Sequence, residues 1–152
     1  SAKLVISRIE HAASRFGGPG SHYVDDGDRL ALGRSEISCL VTPGHTLGST
    51  CYWWQSNLFT GDTLFPDGVG ICESYAAAGD LFDSAQRLLA MIHPATRIYA
   101  GHCFHVANGL SFERVIKSNI YLQMDSREAF CRFRMRPGQK GWFNFSGLAC
   151  EG

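Results

Sequence analysis

The sequence predicts a single α/β domain, on three observations. Short apolar and aromatic runs, Cys39-Leu40-Val41, Tyr52-Trp53-Trp54 and Leu58-Phe59-Thr60, have the length and residue types of strands. Between them and a further strand-like run, Arg97 to Ala100, the residues Leu81, Phe82, Ala85, Leu88, Leu89 and Ile92 recur at helical spacing and mark one apolar face. Three of the strand-like runs also end alike, in a glycine followed by a residue able to bind metal: Gly44-His45, Gly61-Asp62 and Gly101-His102.

Each element has a local reason. Lys3 to Ile6 reads as a strand, and Ser7 with Glu10 three residues on is a capping-box pattern that opens a helix through about Arg15. Gly17-Gly18-Pro19-Gly20 ends that helix. Asp25-Asp26-Gly27-Asp28 is turn chemistry, Arg29 to Leu32 a short strand, and Glu36 to Thr42 a longer one that Pro43-Gly44 stops, placing His45 in a loop. Gln55-Ser56-Asn57 makes a hairpin of the next two strands and delivers Asp62 just past Gly61. Asp67 to Gly79 has no period and reads as a candidate substrate loop. Asp80 is the expected cap of the next helix, and His93-Pro94 its end. Ser111 is expected to cap a helix with Phe112, Val115, Ile116 and Ile120 inward, and Ser126 another running to about Met135.

Composition excludes several classes. The 152 residues, 45% hydrophobic and 18% charged, suit one globular domain over 1–152. No apolar run approaches the roughly 18 residues of a membrane span, so the expectation is a cytoplasmic protein without membrane contact. Fourteen basic and 14 acidic residues leave no net charge, and nucleic acid is not an expected partner. Six cysteines (39, 51, 72, 103, 131 and 150) lack any CxxC spacing and sit among core-like neighbours, which fits reduced thiols.

His45, Asp62 and His102 lie too far apart for a local metal finger but suit ligands gathered by a sheet. Imidazole nitrogen and carboxylate oxygen are zinc ligands, and a carboxylate can bridge two ions about 3.5 to 4 Å apart. A single histidine after a glycine is more often a surface residue; three ligand types in one strand-end context point to a site.

These residues also carry a family resemblance. Thr42-Pro-Gly-His-Thr-Leu-Gly-Ser49, Phe59-Thr-Gly-Asp-Thr-Leu-Phe65 and Tyr99-Ala-Gly-His102 resemble the third, fourth and fifth metal-binding motifs of the metallo-β-lactamase superfamily, most closely its glyoxalase-II-like thioester hydrolases. The tail segments Ser118-Asn-Ile-Tyr-Leu-Gln-Met124, Phe133-Arg-Met-Arg136 and Phe143-Asn-Phe145 resemble the zinc-dependent hydrolases of bacterial trans-acyltransferase polyketide pathways. The resemblance implies an αββα sandwich. It assigns His45 to the first metal, Asp62 to a bridging and catalytic position and His102 to the second metal, with two zinc ions per complete site and iron or manganese as alternatives. The implied reaction is hydrolysis of an acyl thioester, carried on a carrier protein or coenzyme A, by metal-bound hydroxide.

Two departures qualify the likeness. The superfamily's HxHxDH motif is absent from these residues, so the chain is expected to be the C-terminal portion of the fold, with an N-terminal segment needed to complete the site. Glyoxalase II holds glutathione with a basic residue after the bridging Asp and a Tyr after the last ligand His. Here Gly68 to Tyr75 contains no Lys or Arg and His102 is followed by Cys103-Phe104-His105, so glutathione is not the expected carrier.

His105 is expected to be solvated or to stand behind a ligand, and Cys72 and Cys103 to be buried, inert thiols. Arg127, Arg132, Arg134, Arg136 and Lys140 surround a single Glu128 and alternate with Phe130, Phe133 and Trp142. The plain expectation is a solvated face; the sharper one is a docking surface for an acyl carrier protein near Arg132 and Arg134. No GxSxG elbow supports a serine nucleophile. Two other readings stand beside the thioester hydrolase: a mononuclear iron dioxygenase of sulfur compounds on the same fold, using two histidines and one carboxylate, or, with the first metal motif absent, a non-catalytic fragment or binding module.

Overall fold

A computed structural model describes residues 2–138. Lys140, Trp142, the Phe143 to Phe145 segment and Cys150 lie outside the described residues.

The chain opens with β1 (Val5–Ser7) and α1 (Arg8–Ser14). Ser7 caps the helix as its sequence requires, its Oγ accepting the Glu10 amide at 3.0 Å. The rest of the capping box is diverted. Glu10 Oε2 accepts the Gly48 amide at 3.1 Å and Ser7 Oγ donates to the Gly48 carbonyl at 2.7 Å, tying the helix start to the loop that carries His45. β2 (His22–Val24) pairs in parallel with β1; three residues are too few for a periodic signature in the sequence.

β3 (Arg29–Leu32), β4 (Ser35–Val41), β5 (Thr50–Trp54) and β6 (Asn57–Gly61) form an antiparallel meander. The chain then builds a small hairpin from β7 (Leu64–Phe65) and β8 (Gly68–Val69), runs through α2 (Tyr75–Met91), and returns as β9 (Arg97–Ala100), parallel to β6. β10 (Leu110–Ser111) closes the six-stranded sheet, whose order is β10-β9-β6-β5-β4-β3. α3 (Phe112–Ser118), a 3-10 turn at Ile120–Gln123 and α4 (Arg127–Arg134) follow.

Strand alternation sorts the sheet's two faces. Leu40, Cys51, Leu58 and Ile98 are buried in one cluster with Leu81, Ala85 and Leu88 of α2, Phe112 and Val115 of α3, and Phe130 of α4. Each fully buried Leu or Phe contributes about 1.5–3 kcal/mol, so this face holds most of the apolar stabilisation. The other face carries Tyr52, Phe59 and Tyr99, and there Phe59 stays 42% exposed while stacked on Tyr99.

Three elements differ from expectation. α2 begins at Ser74, whose Oγ accepts the Ala77 amide at 3.1 Å, and Asp80 lies inside the helix. The stretch Asp67 to Gly79 therefore comprises β8, an irregular strap over 70–74 and the first turn of α2. Its helical pattern is masked by Gly79, where a Cβ would stand 2.3 Å from the Arg127 guanidinium. Ile120 is exposed, because α3 ends at Ser118 and the tighter turn rotates Tyr121 and Leu122 inward in its place. Arg134 is buried, 5% exposed, with Nη1 donating to the Tyr121 hydroxyl at 3.1 Å, so the basic face it was expected to share narrows to Arg132 and its exposed neighbours.

Asn119 sits fully buried where α3 meets the turn. Its Nδ2 donates to the carbonyls of Phe65 and Gly68 and its Oδ1 accepts the Tyr121 amide, so one amide group holds the β7–β8 hairpin. Among the described residues the cysteines are all free. Cys39, Cys51, Cys72 and Cys131 are buried, while Cys103 is exposed, contrary to expectation. Burial pushes the Cys51 and Cys72 thiols up to about 11, which keeps them neutral. Among the described residues no helix is long and apolar enough to cross a membrane.

Candidate metal centre

β4 and β6 both run antiparallel to β5, and β9 runs parallel to β6, so all three point the same way. Their C-terminal ends therefore share one edge of the sheet, and His45, Asp62 and His102 meet there. His45 Nε2 lies 3.5 Å and His102 Nε2 3.4 Å from the same atom, Asp62 Oδ2. His45 Nδ1 is 2.9 Å from the Ile71 carbonyl. A carbonyl can only accept, so Nδ1 carries the proton and, in the neutral ring, the Nε2 lone pair faces the carboxylate.

The donor set fits zinc-type ions in a particular way. Two ligands each roughly 2.1 Å from one tetrahedral ion stand about 3.4 Å apart, which is the span of each imidazole–carboxylate pair. Among the described residues no group of three or more His, Cys, Asp or Glu side chains is arranged to hold one ion by itself. The arrangement is two imidazole–carboxylate pairs sharing one carboxylate oxygen.

Close backbone approach makes this possible. A Cβ on Gly70 would stand 2.1 Å from the Asp62 carbonyl and 3.0 Å from His45 Cβ, and one on Gly101 2.6 Å from Asp62 Oδ1. The Gly101 amide donates to the Gly61 carbonyl at 2.8 Å. The Asn108 amide group brackets Ala100, Oδ1 accepting its N–H at 2.8 Å and Nδ2 donating to its carbonyl at 3.0 Å, which fixes the strand end just before His102.

Phe65, Gly70, Ile71 and Phe104 complete the lining of the small cavity around the three ligand-type residues. Phe104 meets Phe65 edge-on at 5.1 Å and tilts over His102 at 5.9 Å. The wall is apolar and, among the described residues, carries neither Lys nor Arg. His105, Cys103 and Cys72 do not line it. Sequence reasoning passed over Asn108, Phe104 and the Ile71 carbonyl, because neither a loop asparagine nor a backbone oxygen has a residue-type signal. A wider open groove lined by Arg29, Arg34, Glu36 and Trp53 lies at the opposite strand ends and gathers none of the site residues.

The six-stranded sheet backed by helices matches solved structures. A metallo-β-lactamase from Staphylococcus aureus subsp. aureus COL superposes with a TM-score of 0.75 at 19% identity, over 79% of this chain and 40% of that one. ETHE1 from Myxococcus xanthus gives 0.76 at 28% identity, over 89% of this chain and 58% of that one. The chain has the metallo-β-lactamase fold. The sequence is 43% identical over 146 residues to PksB of Bacillus subtilis (strain 168), described as a probable polyketide biosynthesis zinc-dependent hydrolase. That match takes in 95% of this chain and 65% of PksB, so the chain spans less than two-thirds of the relative's length. No protein-family model matches the chain.

Proposed function

We propose that the intact protein is a zinc-dependent hydrolase that cleaves an acyl thioester in polyketide biosynthesis, with His45, Asp62 and His102 as metal ligands. The observation that carries this reading is the convergence of both Nε2 atoms on Asp62 Oδ2 at 3.5 and 3.4 Å. The name of PksB supports the hydrolase and the pathway. A pair of zinc ions would supply hydroxide near neutral pH and polarise the thioester carbonyl.

The chain's own residues have distinct parts in this reading. Asp62 shares one oxygen between the two imidazoles, and the Ile71 carbonyl holds the His45 tautomer that leaves Nε2 free to coordinate. Phe65, Ile71 and Phe104 keep water from one side of the reacting carbonyl and offer an apolar surface to the acyl group. Three ligand-type side chains are fewer than two ions take, so the reading requires further donors from outside the described residues.

We also propose an acyl carrier protein as the carrier. α4 packs against α2, the helix that follows the Ile71 segment, with Tyr75 donating to the Glu128 carbonyl at 3.4 Å, and the Arg132 side chain, 3.8 Å from Glu128, is 72% exposed. Arg132 is the residue proposed to meet an acidic carrier; Arg134, being buried, takes no part.

Metal analysis and a thioesterase assay on the intact protein test the reading. Two zinc ions with hydrolysis support it; one iron and no hydrolysis sink it in favour of the dioxygenase. Arg132→Glu is expected to raise KM several-fold for a carrier-bound thioester and leave a small-thiol thioester unaffected. Unchanged KM for both would remove the docking surface.

A further inference from the structure

β4 and β6 are not neighbours: β5 lies between them, and two strand spacings amount to about 9.6 Å. The loops that leave them nevertheless touch behind the ligands. Thr42 is fully buried and precedes Pro43-Gly44-His45; Thr63 is 2% exposed and directly follows Asp62. Their hydroxyl oxygens are 3.0 Å apart, a hydrogen bond that crosses the end of β5. Beneath it, Cys51 Sγ of β5 lies 3.3 Å from Thr42 Oγ1. The backbone on either side is fixed as well, the Thr42 amide donating to Ser49 at 2.7 Å and the Thr63 amide to Thr60 at 3.0 Å.

Packing alone does not call for threonine at either position, since valine has the same shape and no polar atom to bury. What the hydroxyls add is a direct link between two loops that the sheet connects only through a third strand. We propose that the Thr42–Thr63 hydrogen bond is a positioning element: it sets the separation of His45 from Asp62, and through it the affinity of that pair for metal. The inference rests on the metal-centre reading above.

Four variants of the intact protein, Thr42→Val, Thr63→Val, Thr63→Ser and the double Val variant, test it by zinc affinity, from competition with a chromophoric chelator, and by thermal unfolding of the metal-free protein. Each single Val variant is expected to bind zinc on the order of 10- to 100-fold more weakly, the range seen when an outer partner of a ligand is lost. Thr63→Ser keeps the hydroxyl and is expected to bind within a few-fold of the unaltered protein. The double variant leaves neither hydroxyl without its partner, and only Cys51 Sγ and the Ser49 carbonyl lose Thr42 Oγ1, so its metal-free melting temperature is expected to recover in part while zinc affinity stays low. Zinc affinity that recovers together with the melting temperature, or a Thr63→Val protein that binds normally, would overturn the positioning role. An unaltered protein that binds no zinc would overturn both this inference and the reading it rests on.

Discussion

Ile71 and His45 are joined from backbone to side chain: the Ile71 carbonyl accepts the His45 Nδ1 proton at 2.9 Å. The orientation of one proposed ligand therefore depends on the short Gly70–Cys72 strap. The strap is set in turn by Gly70, where any side chain would press on both His45 and the Asp62 backbone. Gly70→Ala is expected to cost about 1–3 kcal/mol through overpacking and to lower zinc affinity at least several-fold. A variant with normal stability and full zinc content would show that the strap can yield.

Asp62→Asn keeps the shape of the side chain and removes the charge shared by the two histidines. Zinc content of the intact protein is expected to fall, and thioester hydrolysis to fall by more than the roughly 10- to 100-fold that follows loss of an outer partner. Far-UV circular dichroism should not change. Retained zinc and near-normal turnover would remove Asp62 from the proposed site.

Asn119 gives a prediction about stability alone. Asn119→Leu leaves the Phe65 and Gly68 carbonyls and the Tyr121 amide without their partner inside the core. A loss of about 2–4 kcal/mol is expected in chemical denaturation, and an unchanged midpoint would show that these groups find other partners.

Asp26 carries a pH dependence. Burial by itself would raise its pKa, but the two-pronged hydrogen bond from Arg87, the Val41 amide and the Arg87 charge outweigh this and hold it below the ordinary 3.8. A carboxylate with a depressed folded-state pKa adds stability that is complete above its unfolded value and fades as pH falls through the folded one. The melting-temperature gap between the unaltered protein and Asp26→Asn should therefore be steady near neutral pH and shrink once pH drops below 3.8. A gap that persists at still lower pH would show that the Arg87 contact, not the carboxylate charge, is what matters.

Much of this was legible in the chain because strand ends are marked by residue type. Pro43-Gly44, Gly61 and Gly101 announced where β4, β6 and β9 would stop, and the residues that follow them do meet. What stayed hidden depends on contacts between distant segments. Gly79 looked like loop because glycine is a poor helix former, and its place beside Arg127 of α4, almost 50 residues away, is visible only in the fold. Arg134 looked like surface because charge is ordinarily solvated, and only the fold shows Tyr121 beside it. The β7–β8 hairpin has two-residue strands, too short for any alternation, and depends on Asn119 from another element.

The parallel pairing of β6 with β9 also bears on how such a protein can change. Gly61 lies in register with Ala100, so Asp62 and His102 are held apart by one inter-strand step and not by the long connection that links them in sequence. Only the part of that connection beyond the Gly70–Cys72 strap can change in length without disturbing them, since Gly70 packs against the Asp62 carbonyl and His45. The first turns of the connection supply Phe65, Gly70 and Ile71, the wall against which a substrate would rest. The fold thereby separates the spacing of Asp62 and His102, set by the sheet, from the wall of the cavity, set by the connection between them.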